Sequence, residues 1–404
     1  LALTAILLLS LTPDNHAQTV PPQKLSLDSC VAIAIRNNPS LMASKLQVES
    51  NQKLQKTAFD LGKTEIFYEN EDLNTNDKTD EGVLKIGVTQ SIEFPGVWIA
   101  QNKFNKQNTL LSKTNLALTE KDLLQEVRSS YYTLLFSISR QKLLQEQDSI
   151  FSEFENAASL RFKTGETNKL EMISTQARHK EVQLALEASR ADVLIAQEQL
   201  MKWMNTEQRV LPDIETVSRL GSPVSVIQDD TGLDHPFLQL SQQKISLADY
   251  QRKVEVNKLL PDLSARYFNQ NWYGASPGYY GYSFGIGIPL FFWSQTGRIQ
   301  SAKLQHEIEQ KNFENDQRQF NAAYREAIQT YRKNLSLLTY YEQTGLQLAD
   351  EILSSANTAY RNGDIGYIEY ITLLSQGIDI KNQYLHSMND YNQSVIKLNY
   401  FLNQ

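Results

Sequence analysis

The sequence contains little of what cross-links a fold or interrupts its elements. In 404 residues there are 11 prolines, 17 glycines and a single cysteine, Cys30. One cysteine excludes an internal disulfide framework and a cysteine-rich metal site. Because proline and glycine tend to end helices and strands, their scarcity predicts long uninterrupted elements.

Long apolar runs and an excess of positive charge are also missing. Mean hydropathy is −0.43, and only a segment at the N-terminus is apolar enough to cross a bilayer as a helix, which excludes a polytopic helical membrane protein. The 46 acidic residues outnumber the 39 Lys and Arg, so the formal charge is −7. This balance argues against a nucleic-acid-binding protein, which needs a basic surface. The hydrophobic content of 41% excludes a disordered chain.

Residues 1–20 combine an apolar run, Leu1 to Leu11, with Pro13 and small polar residues. One interpretation is the hydrophobic region and cleavage end of a secretory signal peptide. The other is the end of a transmembrane segment from a longer polypeptide. Both interpretations carry the rest of the chain across a membrane.

The remaining sequence contains an internal repeat. Three motifs recur in the same order, at separations of 197, 194 and 198 residues: Pro39 and Pro236, Pro95 and Pro289, Gly165 and Gly363. Matching order and spacing indicate a duplication. The repeat predicts a first domain at 25–211, a linker at 212–232 and a second domain at 233–404.

Each repeat shows the same succession of patterns. Apolar residues at alternating spacings of four and three, such as Tyr324, Ile328, Tyr331, Leu335 and Leu338, predict coiled-coil helices. On the helices alone, an elongated coiled-coil scaffold without channel activity is an equally good interpretation. The predicted helices are a first helix (27–61 and 234–259), a very long helix (97–160 and 294–360) and a last helix (167–205 and 366–402).

Two strand-like segments between the first and the long helix favour a different class of protein. Residues 84–94 and 281–288 alternate apolar side chains with small or polar ones, as half-buried strands do. Residues 65–71 and 263–273 are weaker partner strands. Each strong run approaches the roughly 9–11 residues that a tilted strand needs to cross an outer membrane.

Aromatic residues at the strand ends suit a membrane interface; they are Trp272, Tyr273, Tyr279, Tyr280, Phe291, Phe292 and Trp293. An ordinary soluble sheet also explains alternation, but not why the second face is mostly Gly, Ser and Thr with so few charges. Four strands cannot close a barrel, and open edges in lipid are costly. If the strands enter lipid, the chain must therefore oligomerise, and three copies would supply 12 strands.

Several motifs together resemble the TolC family of outer-membrane efflux channels. They are the opening LDSCVAIAIRNNP at 27–39, the duplicated Gly turns with a downstream glutamate, and the paired strands. Segments 90–95 and 260–263 look like the heavy-metal-efflux (CusC- and CzcC-like) subgroup, and are most similar to TolC-like modules fused to a cation-efflux pump. Cys30 departs from the small alanine that is usual in the family.

The resemblance implies a mainly α fold with a small β part. It implies a homotrimer with a 12-stranded transmembrane β-barrel in the outer membrane and a long α-helical coiled-coil tunnel in the periplasm. Such a channel is passive, and its implied partners are outer-membrane lipid, a periplasmic adaptor (membrane fusion protein) and an inner-membrane RND transporter. Its exported substrates would be heavy-metal cations.

The resemblance also assigns roles to the duplicated turns. Gly165 and Gly363 correspond to the turns at the periplasmic tip, and Lys163 and Arg361, two residues earlier, would face the adaptor. A favourable charge near a helix C-terminus is the competing explanation for these two cations.

Glu171 and Glu369 match the acidic positions at the channel entrance of the family. Repeated by three-fold symmetry, their carboxylates would attract cations. Some members of the family have a second acidic position three residues further on. Ser174 and Thr372 occupy it here, which weakens the expectation of a second ring of carboxylates. A solvated helix face is the competing explanation for both glutamates.

The sequence gives no sign of catalysis. The five histidines are widely separated and none has a metal-ligand partner at short spacing, so no metal site and no cofactor are expected. Met201 and Met204, at helical spacing, are expected in the core. There is no phosphate loop and no nucleophile elbow, so we predict no enzyme activity. A periplasmic adaptor is a weaker alternative, because the sequence lacks a Gly/Val-rich β domain.

Overall fold

The computed structural model describes residues 22–72, 82–222, 234–272 and 278–402. The predicted signal peptide or transmembrane end at 1–20 therefore lies outside the described residues. So do residues 223–232 of the predicted linker and the aromatic residue Tyr273, and the side chain of Trp272 is not described either.

The described chain is mainly helical, as predicted. The helices are α1 (Leu27–Asn37), α2 (Pro39–Leu54), α3 (Pro95–Lys163), α4 (Lys169–Met204), α5 (Pro236–Asn257), α6 (Trp293–Tyr340), α7 (Leu346–Asn362) and α8 (Tyr367–Phe401). The strands are β1 (Gln23–Leu25), β2 (Glu65–Asp72), β3 (Gly82–Ile92), β4 (Val210–Pro212), β5 (Asp262–Trp272) and β6 (Tyr279–Gly287). The prediction missed the short parallel pair of β1 and β4.

The first predicted helix is divided. Pro39 cannot donate a backbone hydrogen bond, so it begins a new helix instead of continuing α1. The Asn38 side chain caps α2 by accepting hydrogen bonds from the backbone N–H groups of Ser40 (3.0 Å) and Leu41 (3.2 Å). The expectation of one helix over 27–61 was wrong for this reason, and α2 passes into a short 3₁₀ turn, Gln55–Ala58.

His235 is the counterpart of Asn38 in the second repeat and caps α5. Its Nδ1 accepts from the Phe237 N–H (3.2 Å), and its Nε2 donates to the Tyr400 carbonyl (3.1 Å). The ring is 2% exposed and lies 4.8 Å from the Phe320 ring. Burial, and then the nearby charge of Lys121, lower the pKa of His235 to about 4. The cap is therefore a neutral imidazole near neutral pH.

The two long helices differ in continuity. In the first repeat α3 runs unbroken for 69 residues. In the second repeat a π-helical turn, Tyr341–Gly345, separates α6 from α7, so the predicted single helix over 294–360 is interrupted. Glu342 in this turn forms an ion pair with Arg219 (2.9 Å).

Four strands form an antiparallel sheet in the order β2-β3-β5-β6. The strand pairs of the two predicted repeats meet through β3 and β5, with Val83 opposite Trp272 and Ile92 opposite Leu263. All four predicted strands are present within two residues of their expected ends. The register places Gly87 between Phe67 of β2 and Phe268 of β5.

The chain divides into two compact units, each with its own core. The first comprises Leu1–Ala34 and Ser130–Val217, of which 22–34 and 130–217 are described; the second comprises Ile35–Ser129 and Ser218–Gln404. Buried residues of the first unit include Leu134, Phe151, Leu200, Met201 and Met204. Those of the second include the predicted heptad positions Tyr324, Ile328, Tyr331 and Leu338. The heptad spacing and the core assignment of both methionines are thus confirmed.

Candidate functional site

One face of the four-stranded sheet is apolar and exposed. Because alternate residues of a strand point to opposite faces, the register places one series of large side chains on this face. Phe284 is 80% exposed and Ile86 54%. The exposed series is Ile66, Tyr68, Ile86, Val88, Leu263, Tyr267, Tyr280, Tyr282, Phe284 and Ile286. Gln90, Asn269 and Asn271 share this face, which is therefore mainly and not entirely apolar. An exposed apolar surface of this extent marks a contact with a partner or a membrane.

The opposite face of the sheet is polar and charged. Lys85 forms an ion pair with Glu71 (2.9 Å), and Arg266 pairs with Glu69 while its guanidinium lies 3.6 Å from the centroid of the Phe67 ring. The expectation that this face carries few charges was wrong, because the charged residues lie mainly on β2 and β5, the two weaker strands of the prediction.

Glycines on the polar face make room for an aromatic ring. A Cβ at Gly281 would lie 2.6 Å from Cζ of Phe268, and one at Gly87 would lie 2.6 Å from Cβ of the same residue. These two glycines therefore serve packing between strands, and explain the small side chains seen in the alternation.

Aromatic side chains follow the last strand. Phe291, Phe292 and Trp293 are all exposed, and the rings of Phe291 and Trp293 are in contact at 5.0 Å. Tyr279 and Tyr280, at the other end of β6, are exposed as well. The aromatic residues thus bracket the exposed apolar face, as the sequence indicated.

The two predicted turns have the same geometry. Gly165 (φ 79°) follows α3 and Gly363 (φ 80°) follows α7, both in the left-handed region that glycine adopts without strain. At the first turn the N–H of Gly165 donates to the carbonyl of Phe162 (3.1 Å) and that of Glu166 to Arg161 (2.8 Å). At the second, the N–H of Gly363 donates to Tyr360 (3.2 Å).

The predicted adaptor-facing residues lie directly before these turns. Lys163 is the last residue of α3 and Arg361 the penultimate residue of α7, and both side chains are exposed. At these positions a cation also interacts favourably with the carbonyl end of its helix. The geometry is compatible with both roles.

Glu171, in the first turn of α4, is held in place. Its carboxylate accepts a hydrogen bond from Arg161 across the turn (3.2 Å) and another from the Thr167 hydroxyl. Its backbone N–H donates to the Asn168 side chain, which caps α4 (2.9 Å). The Glu171 side chain is 13% exposed, so a cation already neutralises a carboxylate that is mostly covered.

Glu369 occupies the equivalent position of α8 in a different environment. Its side chain is exposed, and in the described part of the chain it forms no ion pair or hydrogen bond. The residue equivalent to Arg161 is Ala359, so Glu369 lacks the arginine partner that Glu171 has. The two glutamates that the repeat equates therefore differ in accessible charge.

Sequence reasoning missed two features of this region. Arg161 escaped notice because it faces Glu171 only after the chain reverses at Gly165. His179 has no metal-ligand partner at short sequence spacing, as expected, but it is buried against Asp148 and Glu155 of the adjacent helix, which the sequence analysis did not foresee.

A family model described as outer membrane efflux protein matches residues 62–206 and 231–403. The chain belongs to this family. The matched segments contain both strand pairs, both long helices and both Gly turns. Outer membrane efflux proteins are transport ducts and not enzymes, which agrees with the predicted lack of enzyme activity.

Solved outer-membrane channels have the same fold as this efflux-family chain. The CmeC channel of Campylobacter jejuni gives a TM-score of 0.80 at 14% identity, covering 93% of this chain and 85% of CmeC. CusC gives 0.78 at 15% identity, covering 97% and 99%. The open state of MtrE from Neisseria gonorrhoeae gives 0.75 at 14% identity, covering 93% and 88%. No curated protein matches the chain significantly.

Two further searches of the described ranges returned nothing. In 22–72, 82–222, 234–272 and 278–402, no helix has the length and apolar character needed to cross a membrane. No group of three or more His, Cys, Asp or Glu side chains in those ranges is arranged to hold a metal ion.

Proposed function

We propose that this efflux-family chain is the outer-membrane exit duct of a tripartite efflux system. The observation that carries the proposal is the two-faced sheet, with an exposed apolar face bracketed by aromatic residues and a charged opposite face. Lipid is the partner that suits the apolar face, and water in a lumen suits the other. The protein would be a passive channel in the outer membrane.

A closed barrel requires more than one chain. In the described residues β2 and β6 each have a sheet neighbour on one side only. Their free backbone groups would be unsatisfied in hydrocarbon, at a cost of several kcal/mol for each group. Three copies of the sheet give a 12-stranded barrel, with the long helices of the homotrimer forming the periplasmic tunnel.

The hairpin turns are the proposed contact with the rest of the system. Lys163 and Arg361 would bind a periplasmic adaptor, and Gly165 and Gly363 would shape the turns that present them. Energy would come from an inner-membrane RND transporter, since outer membrane efflux proteins are transport ducts and not enzymes. The heavy-metal cation substrate rests on the subgroup resemblance and the acidic composition.

Glu171 and Glu369 are the proposed acidic residues of the channel entrance. Three-fold repetition would place the exposed Glu369 carboxylates in a ring that attracts cations. Glu171 occupies the equivalent position in the first repeat, but its carboxylate is already paired with Arg161. We therefore expect it to contribute less to cation selectivity.

The strand faces can be tested with a matched pair of variants in β3. Ile86→Lys puts a charge on the apolar face, and Thr89→Lys puts the same charge on the polar face, opposite Glu65. In lipid, the first variant should destabilise the barrel by about 2–4 kcal/mol and the second by much less. The measurement is the denaturant midpoint of the chain folded into vesicles.

Equal effects of the two variants would contradict lipid contact by this face. Cell fractionation is an independent test. If the mature chain is recovered in the soluble fraction, as an elongated species that needs no detergent, the alternative of a coiled-coil scaffold without channel activity is favoured.

A further inference from the structure

Three exposed lysines lie where α2 and α3 adjoin the sheet. Lys56 is in the 3₁₀ turn after α2, and Lys103 and Lys106 are near the start of α3. None of the three forms an ion pair within the described residues. Residues 95–119 contain no acidic side chain at all, although acidic residues outnumber Lys and Arg in the whole chain. A cluster of one sign without counter-charges attracts anions.

The three lysines share one side of the helix pair. Gln55 and Asn105 each form a hydrogen bond across the contact between α2 and α3 (2.7 and 2.8 Å). Lys56 follows Gln55 and Lys106 follows Asn105, so each lysine lies about 100–120° round its own helix from the contact. Because the two helices are antiparallel, the same rotation leads to the same side. Lys103, one turn before Lys106, is on that side as well.

This side is the outer surface of the proposed tunnel. α3 also contacts α5, because the amide of Gln107 donates to the Gln243 carbonyl (3.4 Å). Lys106 therefore lies between Asn105, which faces α2, and Gln107, which faces α5, on an arc of about 200°. Only about 160° remains on the opposite side of the helix. In a closed ring of helices the narrower arc faces the lumen, so the lysines face outward.

The depth of the lysines suits the headgroup region of a membrane. Ile99, on the same side of α3, is 60% exposed, and the adjacent Trp98 ring contacts the exposed Phe59 ring at 4.4 Å. These apolar side chains lie between the lysines and the sheet. Lys103 and Lys106 follow Ile99 by about 6 and 10 Å along the helix. The headgroup region is roughly 5–8 Å thick on each side of a bilayer, and lysine stems can extend back towards it.

We propose that Lys56, Lys103 and Lys106 bind the phosphate of an anionic phospholipid in the inner leaflet of the outer membrane. Its acyl chains would lie against Ile99 and Phe59. This proposal rests on the proposed function, which places the sheet in that membrane. The three ammonium groups supply the attraction for the headgroup, and the exposed apolar side chains favour a lipid over a free anion.

The corresponding part of the second repeat differs in its charge pairing. The residue equivalent to Lys56 is Lys253, 197 residues further on, and it forms an ion pair with Asp249 (2.6 Å). Near the start of α6, Lys303 pairs with Glu307 (3.9 Å). These two cations are already neutralised by the protein. We therefore expect the stronger lipid binding at the first repeat.

The experiment is native mass spectrometry of the full chain in mixed micelles. The micelles contain dodecyl maltoside with equal amounts of phosphatidylglycerol and phosphatidylcholine, and each lipid retained per chain is counted. The wild-type chain should retain the anionic lipid in preference to the zwitterionic one by about tenfold, since each lysine contributes several-fold to the attraction. Combining Lys56→Gln, Lys103→Gln and Lys106→Gln should reduce this ratio to near one.

The matched control removes the same charge elsewhere. It combines Lys253→Gln with Lys45→Gln and Lys113→Gln, which are exposed positions of α2 and α3 further from the sheet. Lys113 lies about 10 Å beyond Lys106 along the helix. This control should keep most of the preference. All six lysines are on helices or turns, where glutamine is a suitable replacement.

A further arm distinguishes a lipid from free phosphate. Excess inorganic phosphate, compared with chloride at the same ionic strength, should leave phosphatidylglycerol bound to the wild-type chain. Displacement of the lipid by phosphate would identify a site for the free anion and overturn the proposal. This arm requires no substitution.

Two other results would also overturn the proposal. One is a wild-type chain without preference for phosphatidylglycerol, and the other is a triple variant that folds and keeps the full preference. The measurement requires no insertion into a bilayer. Its failure is therefore distinct from equal effects of Ile86→Lys and Thr89→Lys, which would contradict the proposed function.

Discussion

The two hairpins have the same turn, but the side chains beside it have diverged. Gly165 and Gly363 have nearly identical φ angles and the same hydrogen-bond pattern. Near the first turn Leu160 and Leu170 are exposed, whereas near the second the Tyr360 ring stacks on Tyr370 at 4.6 Å. The turn depends on local backbone chemistry, which duplication preserves. Charge and packing depend on facing side chains, which can change independently in each copy.

The same contrast holds where each repeat begins. Asn38 and His235 both cap a helix whose first residue is proline, but the amide cannot titrate and the imidazole can. Equivalent backbone roles are thus filled by groups that respond differently to pH. The following predictions test how far equivalence in sequence corresponds to equivalence in physical behaviour, from the largest expected effect to the smallest.

The largest effect is expected at the cap of α5. The pKa of His235 is lowered to about 4 in the folded chain, below the usual value of 6.5. As the pH falls from 6.5 to about 4, the imidazole of His235 binds a proton in the unfolded chain but stays largely neutral in the folded chain. The folded state should lose about 3 kcal/mol between pH 6.5 and 4. Exchange of the first amides of α5 measures this loss.

His235→Asn reproduces the cap of the first repeat and is the matched variant. It should remove most of the acid sensitivity at α5 while preserving the helix start. The amides of α2, capped by Asn38, should show no corresponding change. Equal acid sensitivity at α2 and α5 would contradict the assignment to His235.

An intermediate effect is expected at the turns themselves. Gly165→Ala and Gly363→Ala should each destabilise the local hairpin by about 1–2 kcal/mol, because alanine is strained at positive φ. No atom lies within 4 Å of the added Cβ at either turn, so the two costs should be equal. Local unfolding of each hairpin by hydrogen exchange gives the comparison.

The control is Gly297→Ala in α6, where the added Cβ also meets open space. At this helical position alanine should stabilise by about 0.5–1 kcal/mol. Clearly unequal costs at Gly165 and Gly363 would show that surroundings, and not backbone strain, determine the stability of the turns.

The smallest effect is a difference in ion selectivity between the two glutamates. Glu369→Gln should lower cation selectivity in planar bilayers more than Glu171→Gln, because Arg161 already neutralises Glu171. Arg161→Ala should raise cation selectivity by freeing that carboxylate. Loss of selectivity in Glu171→Gln alone would reverse the proposed roles, and unchanged selectivity in both variants would remove them from the entrance.

Much of this architecture could be predicted from local patterns. The alternation of apolar with small or polar side chains identified β3 and β6. Successive side chains of a strand point to opposite faces, so a sheet with one apolar and one polar face requires this pattern. The heptad at Tyr324 to Leu338 identified a buried helix face for the analogous reason. The prediction of a single helix over 27–61 was wrong because the apolar pattern continues through Pro39, whereas the hydrogen bonding of the helix backbone does not.

The candidate sites were only partly predictable. Gly165 and Gly363 were found because the repeat brings them into register, and the structure shows that both occupy the left-handed region that favours glycine. The Arg161 partner of Glu171 was missed because it depends on how the chain folds back. The contacts of His179 were missed because Asp148 and Glu155 lie more than 20 residues away in sequence.

The sequence by itself thus determined the long helices, the four alternating strands and the Gly turns, since each follows from the covalent chemistry of neighbouring residues. The tertiary structure alone decided which carboxylate is neutralised, which histidine is enclosed by acids and where Leu353 packs on Gly377. These outcomes depend on the axial register between packed helices. A shift of one turn, about 5.4 Å, would give every one of these side chains a different partner.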